Sequence, residues 1–276
     1  MRHSSASLAA RTPAGNIGGL LRRWRDVRRF SQLDLALEAE ISTRHLSYVE
    51  TGRAQPSREM VIRLSEALQV PLRERNALLL AAGFAPFYGH ASLDAAEMDD
   101  ARLAVELILE QQEPFPAVVI DRYWNTLLEN GGTTRFLDLF PGCESIRPRN
   151  GVRLVFHPKG LRPFIENWET VAARIIQRLH REAVANPSDE TMSAFLDELL
   201  SYPDVPSRWR MLNLDESPPP LLTINYRHQG RCLRLFSTIA TFGSPQDVAL
   251  QEMRIECFFP ADEATRRALR ALGSTS

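Results

Sequence analysis

The chain has 276 residues, of which 44% are hydrophobic, and its net charge is −1. This apolar content is enough for one large domain or two ordinary domains, each with its own core. No window reaches the length of a membrane span, and the first residues lack the apolar segment of a secretory signal. Three widely spaced cysteines form no metal-ligand pattern. We therefore expect a cytoplasmic protein with reduced thiols, no metal and no membrane partner.

Charge is distributed unevenly along the chain. Residues 1–90 contain 13 Arg against 8 Asp and Glu, a net of +5, whereas the remainder carries a net of −6. A basic N-terminal part favours a polyanionic partner, although an excess of this size also occurs by chance. Residues 1–15 are predicted to form a disordered arm.

Residues 16–83 are predicted to form five short helices, because apolar residues recur there at spacings of three and four. Candidate N-caps precede the first four helices: Asn16, Ser31, Ser42 and Ser57. Asp34 follows Ser31 by three positions, which is the pattern of a capping box. The fifth helix is bounded by Pro71 at its start and Gly83 at its end, as is typical of helices.

Three of these helices follow one another between Phe30 and Leu68 with very short connections, which is typical of a helix-turn-helix. Leu46 and Val49 have the spacing that packs the third helix onto the second. The outward face of the third helix is then polar, and it carries Thr43, Arg44, Ser47 and Tyr48. In this motif that face enters the major groove of DNA.

The segment SQLDLALEAEISTRHLSYVETGRAQPSREMVIRLSEAL resembles the Cro/lambda-repressor-like DNA-binding domain, also called the xenobiotic-response-element family. The positions that match the pattern of this family are Gln32, Ala36, Ser42, Glu50, Gly52, Arg53 and Pro56. One position departs from it, because Glu40 occupies the turn position that is often Gly. We expect Glu40 in the left-handed region, at a cost of about 1–2 kcal/mol.

The resemblance also implies roles for individual residues on double-stranded operator DNA. Thr43, Arg44 and Tyr48 are expected to point at bases. Gln32 is expected on the DNA backbone beside the recognition helix, and Ser42, Ser47 and Arg53 are expected near phosphates. Glu50 is expected to be a structural partner rather than a DNA contact.

Beyond this DNA-binding domain, assigned to residues 16–85, the sequence predicts a linker and connector helix over 86–113 and an α+β domain over 114–276. The connector helix is expected over Leu93–Gln112, and its apolar stripe contains Ala96, Leu103, Leu107 and Ile108. In the last domain, alternating segments predict strands at both ends, with mainly helical residues between them.

Three segments of this last domain resemble the MmyB-like regulators: PAVVIDRYWNTLLEN, FHPKGLRPFIENWETVAARIIQRLHREA and SPQDVALQEMRIECFFP. The resemblance implies a PAS-like ligand-binding domain with an antiparallel sheet behind the helix-turn-helix, and a fatty-acid-like ligand. Small-molecule sites are largely apolar, and the aromatic residues that could line one are Phe136, Phe140, Phe156, Phe164, Trp168, Phe236 and Phe242. The alternative is that these rings simply fill the core.

The chain contains no nucleotide-binding, zinc-protease or serine-hydrolase motif, so no catalytic residue is assigned and an enzyme is not expected. The leading hypothesis is a homodimeric, sequence-specific transcription regulator that a small apolar or amphipathic molecule controls. One alternative is a DNA-tethered interaction or dimerisation module with a core filled by its own side chains. A third is an enzyme fused to a DNA-binding domain, which a polar cleft of converging His, Asp and Ser or Cys would favour.

Overall fold

The computed structural model describes residues 16–186, 189–211 and 221–274. The predicted arm at residues 1–15 lies outside this described part. The chain divides into two compact units. One ends at His90 and also includes Gln246–Val248, and the other comprises Ala91–Pro245 and Ala249–Ser276. Each unit has a hydrophobic core of its own.

Between residues 16 and 90, where the structure describes the first unit, the chain forms five helices, as the sequence predicts. They are α1 (Ile17–Val27), α2 (Gln32–Glu38), α3 (Thr43–Glu50), α4 (Arg58–Ala67) and α5 (Leu72–Ala81). The side chains that accept hydrogen bonds from backbone amides at the starts of α1 to α4 belong to Asn16, Ser31, Ser42 and Ser57. These bonds satisfy amides that have no partner within the helix, and they confirm the four predicted caps. The capping box of Ser31 and Asp34 is also present.

The turn between α2 and α3 has the backbone conformation that the sequence predicts. Glu40 lies in the left-handed region with φ of +52°, and the amide of Ile41 donates to the carbonyl of Ala36 at 2.9 Å. This bond satisfies a carbonyl at the end of α2. Arg29 and Gln69 have φ of +57° and +48° in the turns after α1 and α4. Short left-handed turns thus follow α1, α2 and α4.

Beyond His90 the chain is a mixture of helices and strands. The helices are α6 (Asp99–Gln112), α7 (Gly131–Leu137), α8 (Gly151–Phe156), α9 (Trp168–Ala185), α10 (Glu190–Ser201), α11 (Val248–Glu252) and α12 (Glu263–Gly273). The strands are β1 (Ala117–Ile120), β2 (Thr126–Glu129), β3 (Ile224–His228), β4 (Arg231–Ala240) and β5 (Arg254–Pro260).

The strands form one antiparallel sheet in the order β2-β1-β5-β4-β3. A tight turn joins β3 to β4, and Gln229 and Gly230 both have positive φ there, as in tight hairpins. Because the strands come from both ends of the domain, β5 reaches the centre of the sheet between β1 and β4. The five-helix unit and this α+β, PAS-like domain confirm the predicted fold class.

Helix α6 covers one face of the sheet, and this differs from the prediction for the connector. Val105 and Leu109 are buried against sheet residues, whereas Leu103 and Leu107 are 55% and 47% exposed. The helix also begins at Asp99 rather than Leu93. Both apolar pairs are spaced by four residues, so helical periodicity alone could not decide which of them packs.

Candidate DNA-contacting surface and ligand cavity

Helix α3 has one apolar face and one polar face. Leu46 and Val49 are fully buried in the core of the first unit. The hydroxyl of Ser42 accepts a hydrogen bond from the amide of His45 at 3.2 Å, which fixes the start of the helix. The predicted contact residues on its polar side are at least partly exposed: Thr43, Arg44, Ser47 and Tyr48.

Two of these residues form a pair. The Nε of Arg44 donates to the hydroxyl of Tyr48 at 3.0 Å, and its guanidinium lies 5.4 Å from the centre of the tyrosine ring. Arg44 makes no ion pair within the described residues. A guanidinium so placed can present two parallel donors to a guanine edge, which is the commonest specific contact with DNA.

A buried carboxylate holds α3 in place. Glu50 has no exposed side-chain surface, and it accepts a bond from the Nε of Arg25 at 2.7 Å. The amide of Gln32 donates to its other oxygen, also at 2.7 Å, and Arg22 lies 3.6 Å away. Burial by itself would raise the pKa of Glu50, but the bonds from Arg25 and Gln32 and the nearby arginine charges outweigh it and hold that pKa low. Glu50 is therefore a structural anchor.

This anchor also fixes the side chain of Gln32 next to α3. The side-chain nitrogen of Gln32 donates to Glu50. The expected contact of Gln32 with the DNA backbone stays a prediction. Arg53 is exposed in the loop after α3, and its own amide donates to the carbonyl of Tyr48 at 2.8 Å. Gly52, with φ of +72°, turns the chain at this point.

Gly18 lets α1 approach α3, a role that no motif in the sequence indicates. A Cβ at this position would lie 2.5 Å from the carbonyl oxygens of Val49 and Glu50, closer than real contacts allow. The neighbouring Gly19 has open space around it. Two adjacent glycines in a helix are the only sequence signal of this close approach, and they do not indicate which of them is needed.

The second unit contains a cavity of about 570 Å³ between the sheet and the helices on its other face. Every strand contributes to its wall, together with α7, α8 and α9. The apolar lining includes Val118, Ile120, Phe136, Leu137, Val152, Leu154, Val155, Leu161, Val171, Ile175, Leu222, Ile224, Ile239 and Phe258. A volume of this size lies within the usual range for small-molecule sites.

Arginines on one stripe of α9 give the cavity a cationic side. Arg174, Arg178 and Arg181 are spaced by four and three residues, and all three line the cavity. The Nε of Arg178 pairs with Glu182 at 3.1 Å. Arg174 and Arg181 have no ion-pair partner within the described part of the chain. At Arg174 and Arg181 the stripe therefore offers positive charge that the described residues leave unpaired.

Trp124 lines the cavity in a conformation that is rare for a bulky residue, with φ of +66°. Strain of this kind costs about 1–3 kcal/mol and gathers at functional sites. Its indole Nε1 is buried and has no hydrogen-bond partner among the described residues. The guanidinium of Arg178 lies 4.7 Å from the ring centre.

A carboxyl group faces the cavity from the central strand. Glu256 lies on β5 between Val118 on β1 and Ile239 on β4. The hydroxyl of Ser237 donates to its Oε1 at 2.6 Å, and the described residues supply no other hydrogen bond or ion pair. Burial raises the pKa of Glu256, and neither the bond from Ser237 nor the charge of Arg178 cancels the rise.

The structure separates most of the predicted pocket aromatics from the cavity. Phe136 lines it. Four of the others pack in or against the main core: Phe140, Phe156, Phe164 and Trp168. The remaining two lie on the opposite side of the sheet, where Phe236 stacks on Phe259 and Phe242 packs beside α6. Of the predicted pocket aromatics, Phe136 is thus the one on the wall of this cavity, since aromatic content alone does not indicate which rings fill space and which border it.

The described residues contain no group of three His, Cys, Asp or Glu side chains that could hold a metal ion. Over the same residues, no helix is both long and apolar enough to cross a membrane.

The first unit, with its short turn and its polar recognition helix, defines a helix-turn-helix transcription regulator. Comparison with protein families agrees, since a helix-turn-helix domain matches residues 16–78 and the MmyB-like transcription regulator ligand binding domain matches residues 101–272. The second match covers more than half of the chain, which therefore belongs to the MmyB-like transcription regulators. These families indicate a regulator rather than an enzyme.

No curated protein matches the chain. One solved structure, of an RNA-binding light-oxygen-voltage receptor, is 12% identical in sequence and covers 94% of this chain, with a TM-score of 0.27. The match spans 63% of that receptor. Similarity at so low a TM-score supports no conclusion about fold or function.

Proposed function

We propose that this protein binds a specific operator in double-stranded DNA through α3, and that a small apolar or amphipathic molecule in the cavity controls this binding. The observation that carries the proposal is the cavity of about 570 Å³ in the unit that accompanies the helix-turn-helix. A core filled by its own side chains would instead have favoured an interaction module. The predicted location of the protein is the cytoplasm, where it would meet its operator DNA.

The cavity wall supports a fatty-acid-like ligand. Its extensive apolar lining suits a hydrocarbon chain, and burial of such a chain contributes about 0.8 kcal/mol for each CH₂. Arg174 and Arg181 lack partners in the described part of the chain and could bind a carboxylate or a similar anionic head. An amphipathic molecule satisfies both parts of the wall, whereas a purely polar one would leave the apolar part in contact with water.

On DNA, we assign base contacts to Thr43, Arg44 and Tyr48 and phosphate contacts to Ser42, Ser47, Arg53 and Gln32. The exposed polar face of α3 and the exposure of Arg53 support this division. Contacts with phosphates set the position of the protein on the duplex, and contacts with base edges select the sequence.

We further propose that the protein binds its operator as a homodimer. One recognition helix reads only a few base pairs, and two-fold pairing places two such helices about one DNA turn, or a multiple of it, apart. Leu103 and Leu107 are exposed one turn apart on α6. We assign to them the apolar contact with the second copy. Light scattering of the protein–operator complex tests this, and a one-to-one complex at saturating protein would contradict it.

Control by a ligand requires unequal binding to the DNA-competent and DNA-incompetent states. A tenfold change in operator affinity corresponds to about 1.4 kcal/mol of coupling. This is less than the contribution of two buried CH₂ groups, so even a small difference in how the two states enclose the chain is sufficient.

The experiment compares two tryptophan variants. Ile239→Trp adds volume inside the cavity, whereas Leu127→Trp places the same side chain at an exposed position on β2. Native mass spectrometry of purified wild type should show a bound small molecule, and the extracted compound should change operator affinity. Ile239→Trp should lose both effects, and Leu127→Trp should keep them.

Two results would contradict the proposal. One is that no compound co-purifies and that acyl-chain screens change neither the melting temperature nor the operator affinity. The other is that Ile239→Trp responds to the compound as wild type does. An interaction module without a small-molecule ligand would then explain the protein better.

A further inference from the structure

The position of Glu256 is not explained by a plain hydrocarbon ligand. The residue lies on the central strand of the sheet, with Val118 and Ile239 opposite it on the neighbouring strands. An aliphatic residue at this position would complete the apolar wall. A carboxyl group instead faces the cavity, held by one hydrogen bond from Ser237.

Among the residues that the structure describes, no charged partner accounts for this carboxyl group. Arg178 is the arginine whose charge acts on it, but Arg178 forms its ion pair with Glu182. Arg149, which also lines the cavity, pairs with Glu129. Glu256 thus retains hydrogen-bonding capacity toward the cavity that the described residues do not use.

A ligand that fills the cavity removes water from Glu256. If the ligand presents only CH₂ groups there, the carboxyl loses its hydration without a replacement, and leaving a buried polar group unsatisfied is unfavourable. A site built to hydrogen-bond a hydroxyl discriminates strongly against the analogue that lacks it, because its own polar group is then left unpaired.

We propose that Glu256 is a specificity-determining residue that binds a hydroxyl group on the body of the ligand, so that the cavity selects hydroxylated acyl chains over plain ones. A hydroxyl both donates and accepts, so it can pair with a carboxyl in either protonation state. This inference rests on the proposed function and refines the class of ligand.

The test uses isothermal titration of the full-length protein, freed of bound lipid, with dodecanoic acid and with its monohydroxy isomers. At least one hydroxy isomer should bind wild type 10-fold more tightly than the plain acid, or more. Glu256→Leu should abolish this preference and bind the plain acid at least as well as wild type does. Glu256→Gln, which keeps a hydrogen-bonding side chain, should retain most of the preference.

Folding is checked by the melting temperature and by operator affinity without ligand. If Glu256→Leu does not fold, Glu256→Val takes its place, because valine also removes the carboxyl group and suits a strand. Equal binding of plain and hydroxylated acids by wild type would overturn the inference and leave the proposed function standing. The same preference in Glu256→Leu as in wild type would also overturn it. If no acid of either kind binds, both the inference and the fatty-acid-like ligand fail.

Discussion

Arg44 and Tyr48 stand one turn apart on the exposed face of α3, where the Nε of Arg44 donates to the tyrosine hydroxyl at 3.0 Å. The pair links two side chains to which we assign base contacts. Arginine has many rotamers, and restricting them before binding reduces the entropy lost when the complex forms. The terminal nitrogens of Arg44 remain free of ion pairs within the described residues and can still reach a base.

The first prediction concerns base recognition. Arg44→Ala should weaken binding to the true operator by about 1–3 kcal/mol and relax the preference at one base position. Arg63→Ala, which removes an exposed arginine from α4, is the matched control and should have little effect on sequence preference. Footprinting and titration on operator variants provide the measurement. If Arg44→Ala binds every site as wild type does, the base-reading assignment is wrong.

The second prediction concerns phosphate contact. Arg53→Ala should weaken binding to specific and unrelated duplexes by similar factors, because phosphates carry no direct sequence information. The slope of log affinity against log salt concentration should also become shallower by about one. Titrations at several salt concentrations measure both effects. An unchanged slope would exclude Arg53 from the phosphate contacts.

The third prediction compares two neighbouring glycines. Gly18→Ala should destabilise the first unit by about 1–3 kcal/mol, because the new Cβ would collide with two backbone carbonyls of α3 and force a shift of packed elements. Gly19→Ala should instead stabilise the unit by about 0.5–1 kcal/mol, since the position is open and alanine favours helix. Hydrogen exchange of α1 and α3 provides the comparison. Equal effects of the two substitutions would refute the close approach at Gly18.

The fourth prediction concerns acid stability of the first unit. Because the pKa of Glu50 is lower in the folded state than in the unfolded chain, its contribution to stability is present above the unfolded pKa and is lost as pH falls through the folded pKa. Glu50→Gln should make the stability of α1 and α3 less dependent on pH in this acidic range. Arg25→Ala should destabilise them at neutral pH by about 3–5 kcal/mol, because Glu50 stays buried without its main partner.

Hydrogen exchange of the same helices at several pH values measures these effects. Glu38→Gln is a suitable control, since Glu38 is an exposed carboxylate at the end of α2 and takes no part in a cap. A loss of stability on acidification that is unchanged by Glu50→Gln would show that other carboxylates govern it.

The fifth prediction concerns Glu256, whose contribution to stability depends on pH in the opposite direction to that of Glu50. Burial raises the pKa of Glu256 in the folded state, so its favourable contribution is present below the unfolded pKa and is lost as pH rises through the folded pKa. Without ligand, Glu256→Gln should therefore stabilise the strands around β5 relative to wild type at alkaline pH and much less at acidic pH. Hydrogen exchange of β1, β4 and β5 provides the measurement. A stability difference that does not change with pH would contradict the buried carboxyl.

Local features of this chain could be read from its sequence because they depend on neighbouring residues. The cap at Ser42 and the capping box of Ser31 and Asp34 satisfy amides within one turn. The left-handed conformation of Glu40 was expected from the resemblance, because this turn position is often Gly in the family. The alternating strands of the second unit were likewise predictable, since their side chains alternate between two faces.

Only the tertiary structure decided which apolar and polar residues face the solvent, the core or the cavity. Leu103 and Val105 have similar local patterns, yet one is exposed and the other is buried under the sheet. Phe156 and Phe136 are both buried phenylalanines, but only the second lines the cavity. Glu256 looks like an ordinary polar position of an alternating strand. Its place in the cavity depends on α9 packing over the sheet, and such long-range packing leaves no periodic signal in the sequence.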